Sequence, residues 1–170
     1  MGSNILLAVR IVVYELALGF LLVIVPLWYA LDHGAGLGIL AEWVQLPGLA
    51  ITFAGLALWL WATVELAVRG YGTPLPLDPP IHLVTTGPYA GIRNPMHVGL
   101  VVFLAGIGLL FRSPAFLLYA LLIAAFAWAY ARWVEVHALE RRFGEVYRAY
   151  RARVPAWWPA GRRRRPRFPE

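Results

Sequence analysis

The sequence contains no cysteine and no lysine. The missing cysteines exclude disulfide bonds, thiolate metal sites and thiol nucleophiles, and the missing lysines exclude Schiff-base catalysis and a P-loop lysine. Only 14% of the 170 residues are charged, whereas 61% are hydrophobic and the mean hydropathy is +0.65. In a soluble domain about 25% of the residues are charged, and disorder requires low hydrophobicity. The composition therefore predicts one integral membrane domain over residues 1–170.

Long apolar runs predict an all-α, polytopic fold with four transmembrane helices. A membrane-spanning helix needs about 20 residues. The third run is short for a full span, and its helix is expected to start inside the membrane. The runs cover residues 5–31, 47–68, 97–111 and 115–134.

The distribution of arginine predicts the topology. The net charge is +6, and most arginines lie at or after Arg132, whereas the loop 32–46 has none. The positive-inside rule then places both termini and the loop 69–96 in the cytoplasm, with Arg112 as the exception in an outer turn. We expect the basic tail, residues 160–170, to contact anionic membrane lipids rather than nucleic acid.

Residues 69–96 form a Pro/Gly-rich cytosolic loop between the second and third runs. Its prolines, including Pro88 and Pro95, prevent a continuous helix. Connections of this length without secondary structure are usually functional or disordered, and its aliphatic and aromatic content argues against disorder. The loop is therefore a candidate for the functional site.

The sequence predicts a second cytosolic segment over residues 135–159. From Glu135 to Arg153 charged and apolar residues alternate at helical spacing, which indicates an amphipathic helix at the membrane interface. Two tryptophans, Trp157 and Trp158, follow it and suit the depth of the lipid headgroups. Because both segments lie on the cytoplasmic side, we expect the site to be built between them.

Common catalytic and cofactor motifs are missing. The chain has no G-x-G-x-x-G, no Walker loop, no H-E-x-x-H and no G-x-S-x-G. Its four histidines lack the paired spacing of metal ligands. No metal site is predicted.

Two motifs nevertheless resemble a known family. The first is G-P-Y-x-x-x-R-N-P-M-H-x-G at residues 87–99, and the second is E-x-x-x-L-x-x-x-F-G-x-x-Y-x-x-Y at residues 135–150. Their order is similar to that in the isoprenylcysteine carboxyl methyltransferase-like family, which includes bacterial phospholipid methyltransferases. The resemblance implies a membrane enzyme that moves a methyl group from S-adenosylmethionine to a lipidic or small hydrophobic acceptor. The acceptor atom belongs to a carboxylate, a thiol or an amine, and the implied location is a prokaryotic inner membrane.

The resemblance also implies the site residues. Arg93, Glu135 and His97 would be catalytic. The cofactor would be held by two groups of residues: Gly87, Pro88, Tyr89, Arg93, Asn94, Pro95, His97 and Gly99 from the loop, and Glu135, Tyr147 and Tyr150 from the C-terminal helix. Their chemistry fits this cofactor, because a guanidinium suits its carboxylate and tyrosine rings suit adenine and the sulfonium. An amine acceptor must lose a proton, which Glu135 or His97 can accept.

Departures from the family pattern leave other interpretations open. Asn94 replaces the usual histidine, His97 the usual tyrosine, and Val136 the second of two glutamates. A membrane reductase that uses NADPH and a non-catalytic membrane scaffold are the alternative functions. In simpler interpretations of single residues, Arg93 anchors the chain at the membrane surface and Glu135 occupies the first turn of its helix. The oligomeric state is left open.

Overall fold

The computed structural model describes residues 2–34, 37–72 and 80–158. All regular elements within these ranges are helical, which confirms the predicted all-α class. We name the helices α1 to α6. They are α1 (Gly2–Gly19), α2 (Val25–Asp32), α3 (Gln45–Gly70), α4 (Pro95–Leu110), α5 (Pro114–Tyr130) and α6 (Val136–Arg153). Two π-turns join consecutive helices without a break, Phe20–Ile24 between α1 and α2 and Ala131–Glu135 between α5 and α6, and short 3₁₀ turns occur at Glu42–Val44 and Gly87–Ala90.

Three helical stretches are long and apolar enough to cross a membrane: Val9–Asp32, Glu42–Gly70 and Pro114–Arg153. The third is 40 residues long, about twice what a span needs. Its apolar part ends near residue 134, so we take 114–134 as the spanning part. Helix α4 is apolar but has only 16 residues, which rise about 24 Å against a hydrocarbon core of about 30 Å. A fourth full span therefore stays a prediction.

Helices α3 and α4 pack against each other in antiparallel directions through glycines. A Cβ atom at Gly48 would lie 2.7 Å from the backbone nitrogen of Leu110, and one at Gly99 would lie 2.6 Å from that of Trp59. Cβ atoms at Gly55 and Gly106 would approach the backbone of the opposite helix just as closely. Small residues let membrane helices approach this closely. The glycines are seven residues apart on each helix, so each pair lies on one face.

The first helical stretch docks on α4 and α5 through Val23, which packs into a buried cluster with Leu104 and Phe116. Three residues later Pro26 has no N–H group, so it cannot donate to the carbonyl of Leu22. The hydroxyl of Tyr119 in α5 donates to that carbonyl at 3.1 Å. A neighbouring helix thereby satisfies a backbone group that proline frees within the membrane.

A tight turn returns the chain from α4 to α5, as the sequence predicted for residues 112–114. Arg112 adopts φ +56°, and the hydroxyl of Ser113 accepts from the backbone N–H of Phe116 at 3.2 Å. Since α3, α4 and α5 run alternately up and down, the end of α3, the start of α4 and the end of α5 lie at the same end of the bundle. The motif loop and the C-terminal segment meet there.

Candidate functional site

The chain after α6 lies against the loop motif. We call residues 154–158 the strap. The backbone N–H groups of Arg93 and Asn94 donate to the carbonyls of Pro155 and Ala156, at 2.9 and 3.2 Å. The Nε atom of Arg93 donates to the carbonyl of Val154 at 3.0 Å. The predicted tryptophan segment is thus fixed to the middle of the predicted motif loop.

Helix α6 folds back on itself at Gly144. This residue has φ +52° and ψ −126°, a combination that only glycine adopts readily. Glu140 and Arg151 form an ion pair although they are eleven residues apart, which a straight helix would separate by about 16 Å. The amphipathic helix predicted from the sequence is therefore bent, and the residues after Gly144 turn back toward the loop motif.

The fold-back brings both tyrosines of the second motif to the first motif. The hydroxyl of Tyr150 donates to the carbonyl of Tyr89 at 2.7 Å. The Nη1 atom of Arg93 donates to the hydroxyl of Tyr147 at 3.2 Å. Both tyrosines of α6 are buried, and burial raises their pKa values, so their hydroxyls stay protonated. Through these hydrogen bonds the two tyrosines connect the two motifs.

Glu135 closes the π-turn that joins α5 to α6. Since this helical stretch begins at Pro114, Glu135 is not a first-turn residue, and that simpler interpretation is wrong. Its Oε2 atom lies 4.0 Å from Nδ1 of His97. The same Oε2 atom is buried and has no hydrogen-bond partner among the described residues. A buried acceptor without a partner is costly in a folded protein and calls for an explanation.

The surroundings of Glu135 bring the titration of its carboxyl group close to neutral pH. Burial raises the pKa of the Glu135 carboxyl to about 7, and the guanidinium of Arg93 opposes this shift. Glu135 follows the spanning part of its helix, so the end of the bundle where the two motifs meet sets this environment. A carboxyl group with this pKa can both accept and release a proton near pH 7.

A cavity of about 220 Å³ lies between the end of α5, the start of α6, the loop motif and the strap. Drug-sized ligands occupy sites of about 300–1,000 Å³, so the cavity has room for only part of such a ligand. Its wall combines positive charge with aromatic surface. The main contributors are Arg93, Asn94, Trp128, Arg132, Arg151 and Trp157.

Two of the glycines predicted to bind the cofactor, Gly87 and Gly99, contact other parts of the protein. Gly99 lies in the α3–α4 interface against Trp59. Gly87 has φ +56°, and a Cβ atom there would lie 2.9 Å from the carboxyl carbon of Glu65. Glu65 accepts from the hydroxyl of Thr86 and pairs with Arg69 at 2.6 Å. Glu65, near the end of α3, therefore holds the start of the loop motif.

The sequence interpretation missed part of the site. Trp128 and Arg132 lie four residues apart on α5 and its π-turn, and both line the cavity. Helical spacing from Glu135 back along the last apolar run would have found them. The basic tail 160–170, the loop residues 73–79 and the side chain of Glu15 lie outside the described residues.

The remaining predicted residues lie close to this cluster. His97 lies in the first turn of α4, and its ring centroid is 6.2 Å from that of Trp157 in the strap. Pro95 begins α4 and is fully buried, and Pro88 is buried in the 3₁₀ turn before it. The structure thus brings Arg93, Asn94, His97 and Glu135 together at one end of the bundle.

Comparisons with known proteins identify the family of this chain. The family model of phospholipid methyltransferases matches residues 43–146, more than half of the chain. A nickel-cobalt-cadmium resistance protein from Alcaligenes xylosoxydans xylosoxydans is 40% identical over 79 residues, which are 45% of this chain and 36% of that protein. The chain thus spans little more than a third of the length of this curated relative. The family match includes the whole first motif and both Glu135 and Gly144 of the second, and it confirms the resemblance read from them. The chain belongs to the phospholipid methyltransferase family.

Proposed function

We propose that this protein transfers a methyl group from S-adenosylmethionine to a lipidic or small hydrophobic acceptor that enters from the bilayer, in the manner of isoprenylcysteine carboxyl methyltransferase-like enzymes. One observation carries the proposal. The two motifs, far apart in sequence, meet through Arg93 and the strap beside a cavity at one end of a membrane bundle. The family match supports a membrane methyltransferase and does not favour the reductase or the scaffold.

The side chains around the cavity fit the charges of S-adenosylmethionine. When bound, this cofactor supplies an electrophilic methyl group on a sulfonium, and it also carries an ammonium and a carboxylate. The guanidinium of Arg93, at the wall of the cavity, suits the carboxylate. The buried Oε2 atom of Glu135 suits a cationic group, and the rings of Trp157 and His97, 6.2 Å apart, suit an adenine or a sulfonium.

Arg93 has a more specific role in this proposal than the sequence suggested. Two of its donors are used within the protein, for Val154 and Tyr147. It therefore positions the strap and α6 around the cofactor, and it has fewer donors left for a carboxylate. Loss of this side chain should disconnect the two motifs.

Among the three possible acceptor types, an amine fits the site best. A carboxylate or thiolate attacks without further proton loss, whereas an ammonium group must lose a proton before its nitrogen can attack. Glu135 provides a buried proton acceptor without a partner, and His97 lies 4.0 Å away. In the proposed reaction the S–CH₃ bond breaks, an N–CH₃ bond forms, and the proton of the amine passes to Glu135.

Calorimetry on detergent-solubilised protein tests the proposal. We expect binding of S-adenosylmethionine and S-adenosylhomocysteine and no binding of NADPH. The Arg93→Ala variant should weaken the binding of both sulfur compounds at least tenfold, whereas Arg141→Ala, at an exposed position of α6, should bind as the native protein does. Binding of NADPH alone would support a reductase, and binding of none of the three would support a scaffold.

The acceptor is found by incubating the protein with a radiolabelled methyl donor and a lipid extract. Label that enters an amine-containing lipid fraction supports the amine. Label that is released from the product by mild base instead identifies a methyl ester, and the acceptor is then a carboxylate.

A further inference from the structure

The three arginines around the cavity differ in what else they contact. Arg93 donates to Val154 and Tyr147, and Arg151 is paired with Glu140. Arg132 has neither an ion pair nor a hydrogen bond to any residue that the structure describes. It is therefore the guanidinium at this cavity whose donors are available to a ligand.

The length of its helix places Arg132 close to the boundary of the hydrocarbon core. It is 18 residues after Pro114, a rise of about 27 Å, close to the thickness of the hydrocarbon core. Trp128 and Trp133 lie one turn before it and directly after it, with 50% and 64% of their surface exposed, and their rings form an edge-to-face pair with centroids 5.7 Å apart. Exposed tryptophans of this kind are typical of the membrane–water boundary.

The π-turn explains how Arg132 reaches the cavity. It is the second residue of the turn Ala131–Glu135, and such turns often occur at functional sites. The side chain is exposed on one side and also lines the cavity. A ligand at Arg132 thus contacts both the membrane surface and the site.

We propose that Arg132 binds the phosphate group of an amphiphilic ligand, with the ring of Trp128 beside the adjoining apolar part, and thereby determines which acceptors enter. The role of the ligand as methyl acceptor rests on the proposed function, whereas the phosphate site itself does not. A guanidinium forms two parallel hydrogen bonds with a phosphate, and an aromatic ring one helical turn away packs against hydrocarbon. An uncharged amphiphile would leave Arg132 without a partner.

The test measures binding without methyl transfer. Native protein in a neutral detergent is titrated by calorimetry with hexyl phosphate, inorganic phosphate and hexanol. Hexyl phosphate should bind at least tenfold more tightly than either fragment. Inorganic phosphate that binds as tightly as hexyl phosphate would show a site for free phosphate and would overturn the amphiphile.

Matched variants assign the site. Arg132→Gln should lose about tenfold in affinity for hexyl phosphate, the loss expected for one hydrogen-bonded charge. The affinity of Arg132→Lys for hexyl phosphate should lie between those of the native protein and of Arg132→Gln, because lysine keeps the charge but lacks the forked pair of donors. Arg141→Gln, another exposed arginine further along the same stretch, should bind as the native protein does. Equal losses in the Arg132 and Arg141 variants would refute a specific site.

A cofactor titration separates this inference from the proposed function. Arg132→Gln should bind S-adenosylhomocysteine as the native protein does, which also shows that the variant is folded. If no variant binds that compound while hexyl phosphate binding still depends on Arg132, the proposed function fails and the phosphate site stands. If Arg132→Gln alone loses S-adenosylhomocysteine, Arg132 belongs to the cofactor site and the inference is wrong.

Discussion

Replacing Gly144 by alanine tests whether the fold-back of α6 builds the site. A Cβ atom at this position would meet nothing within 4 Å, so the substitution creates no clash. Its cost comes from the backbone, because φ +52° with ψ −126° is disfavoured for residues that carry a Cβ. Backbone strain of this kind costs about 1–3 kcal/mol.

The strain has a specific consequence for binding. The variant can relieve it by straightening α6, which would separate Glu140 from Arg151 and withdraw Tyr147 and Tyr150 from the loop motif. If all of this strain energy destabilises the bent form of α6, the affinity for S-adenosylhomocysteine falls about 5- to 150-fold. Calorimetry on the detergent-solubilised variant measures this change directly.

A matched control separates the bend from general effects of alanine. Gly19 also has open space around its position, but its φ of −59° is helical. Gly19→Ala should therefore bind the cofactor as the native protein does and should be slightly more stable, because alanine favours helices over glycine. Native affinity in Gly144→Ala would show that the bend does not hold the site, and the reasoning would be refuted.

Three further changes address other parts of the structure. Turnover with an amine acceptor should rise with pH and level off above about pH 7. Burial keeps the Glu135 carboxyl protonated below that value, and only its ionised form accepts a proton. Glu135→Gln should lower kcat at least 100-fold, which an initial-rate assay measures. Gly99→Ala should lower the melting temperature by several degrees, because its Cβ would lie 2.6 Å from the backbone nitrogen of Trp59 and force α3 and α4 apart. Tyr119→Phe should cost about 1 kcal/mol, because it leaves the Leu22 carbonyl without its interhelical donor, and thermal unfolding in detergent measures the loss.

The two stability changes have matched controls, and all three changes have a contrary result. Gly91→Ala adds a Cβ atom at a comfortable 3.7 Å from its nearest neighbour and should leave the melting temperature unchanged. Tyr29→Phe removes a hydroxyl from an exposed side chain and should also be neutral. Equal stability losses in the test and control variants would mean that the proposed contacts carry no specific energy. A native pH profile in Glu135→Gln would exclude Glu135 as the proton acceptor.

The apolar runs predicted the helices well because membrane helices are determined by local composition. A long run without charge has to satisfy its backbone internally, and a helix does so in any context. The meeting of the two motifs was also predictable, since arginine placement puts both segments at one end of the bundle. The family pattern then predicted site residues in each segment.

The bend at Gly144 and the strap were not predictable by the same reasoning. The residues around Gly144 keep an amphipathic spacing, and glycine is tolerated in straight helices as well as at bends. The bend is visible only in contacts such as the Glu140–Arg151 pair. The hydrogen bonds of the strap join residues about 60 positions apart, and they involve backbone atoms that every residue type carries.

The π-turn at Ala131–Glu135 has a consequence for how the last helical stretch tolerates change. A residue advances about 100° around an α-helix, so the wide turn offsets the angular registers of α5 and α6. Helix α5 can thereby direct its apolar positions to lipid and to α4, while α6 directs a different set of positions to the loop motif. Straightening this turn into a regular α-helix, with every residue kept, would leave α5 untouched and rotate Glu135 and every residue after it by about a quarter of a circle. The carboxylate would then point away from His97, although no residue of either motif had been replaced.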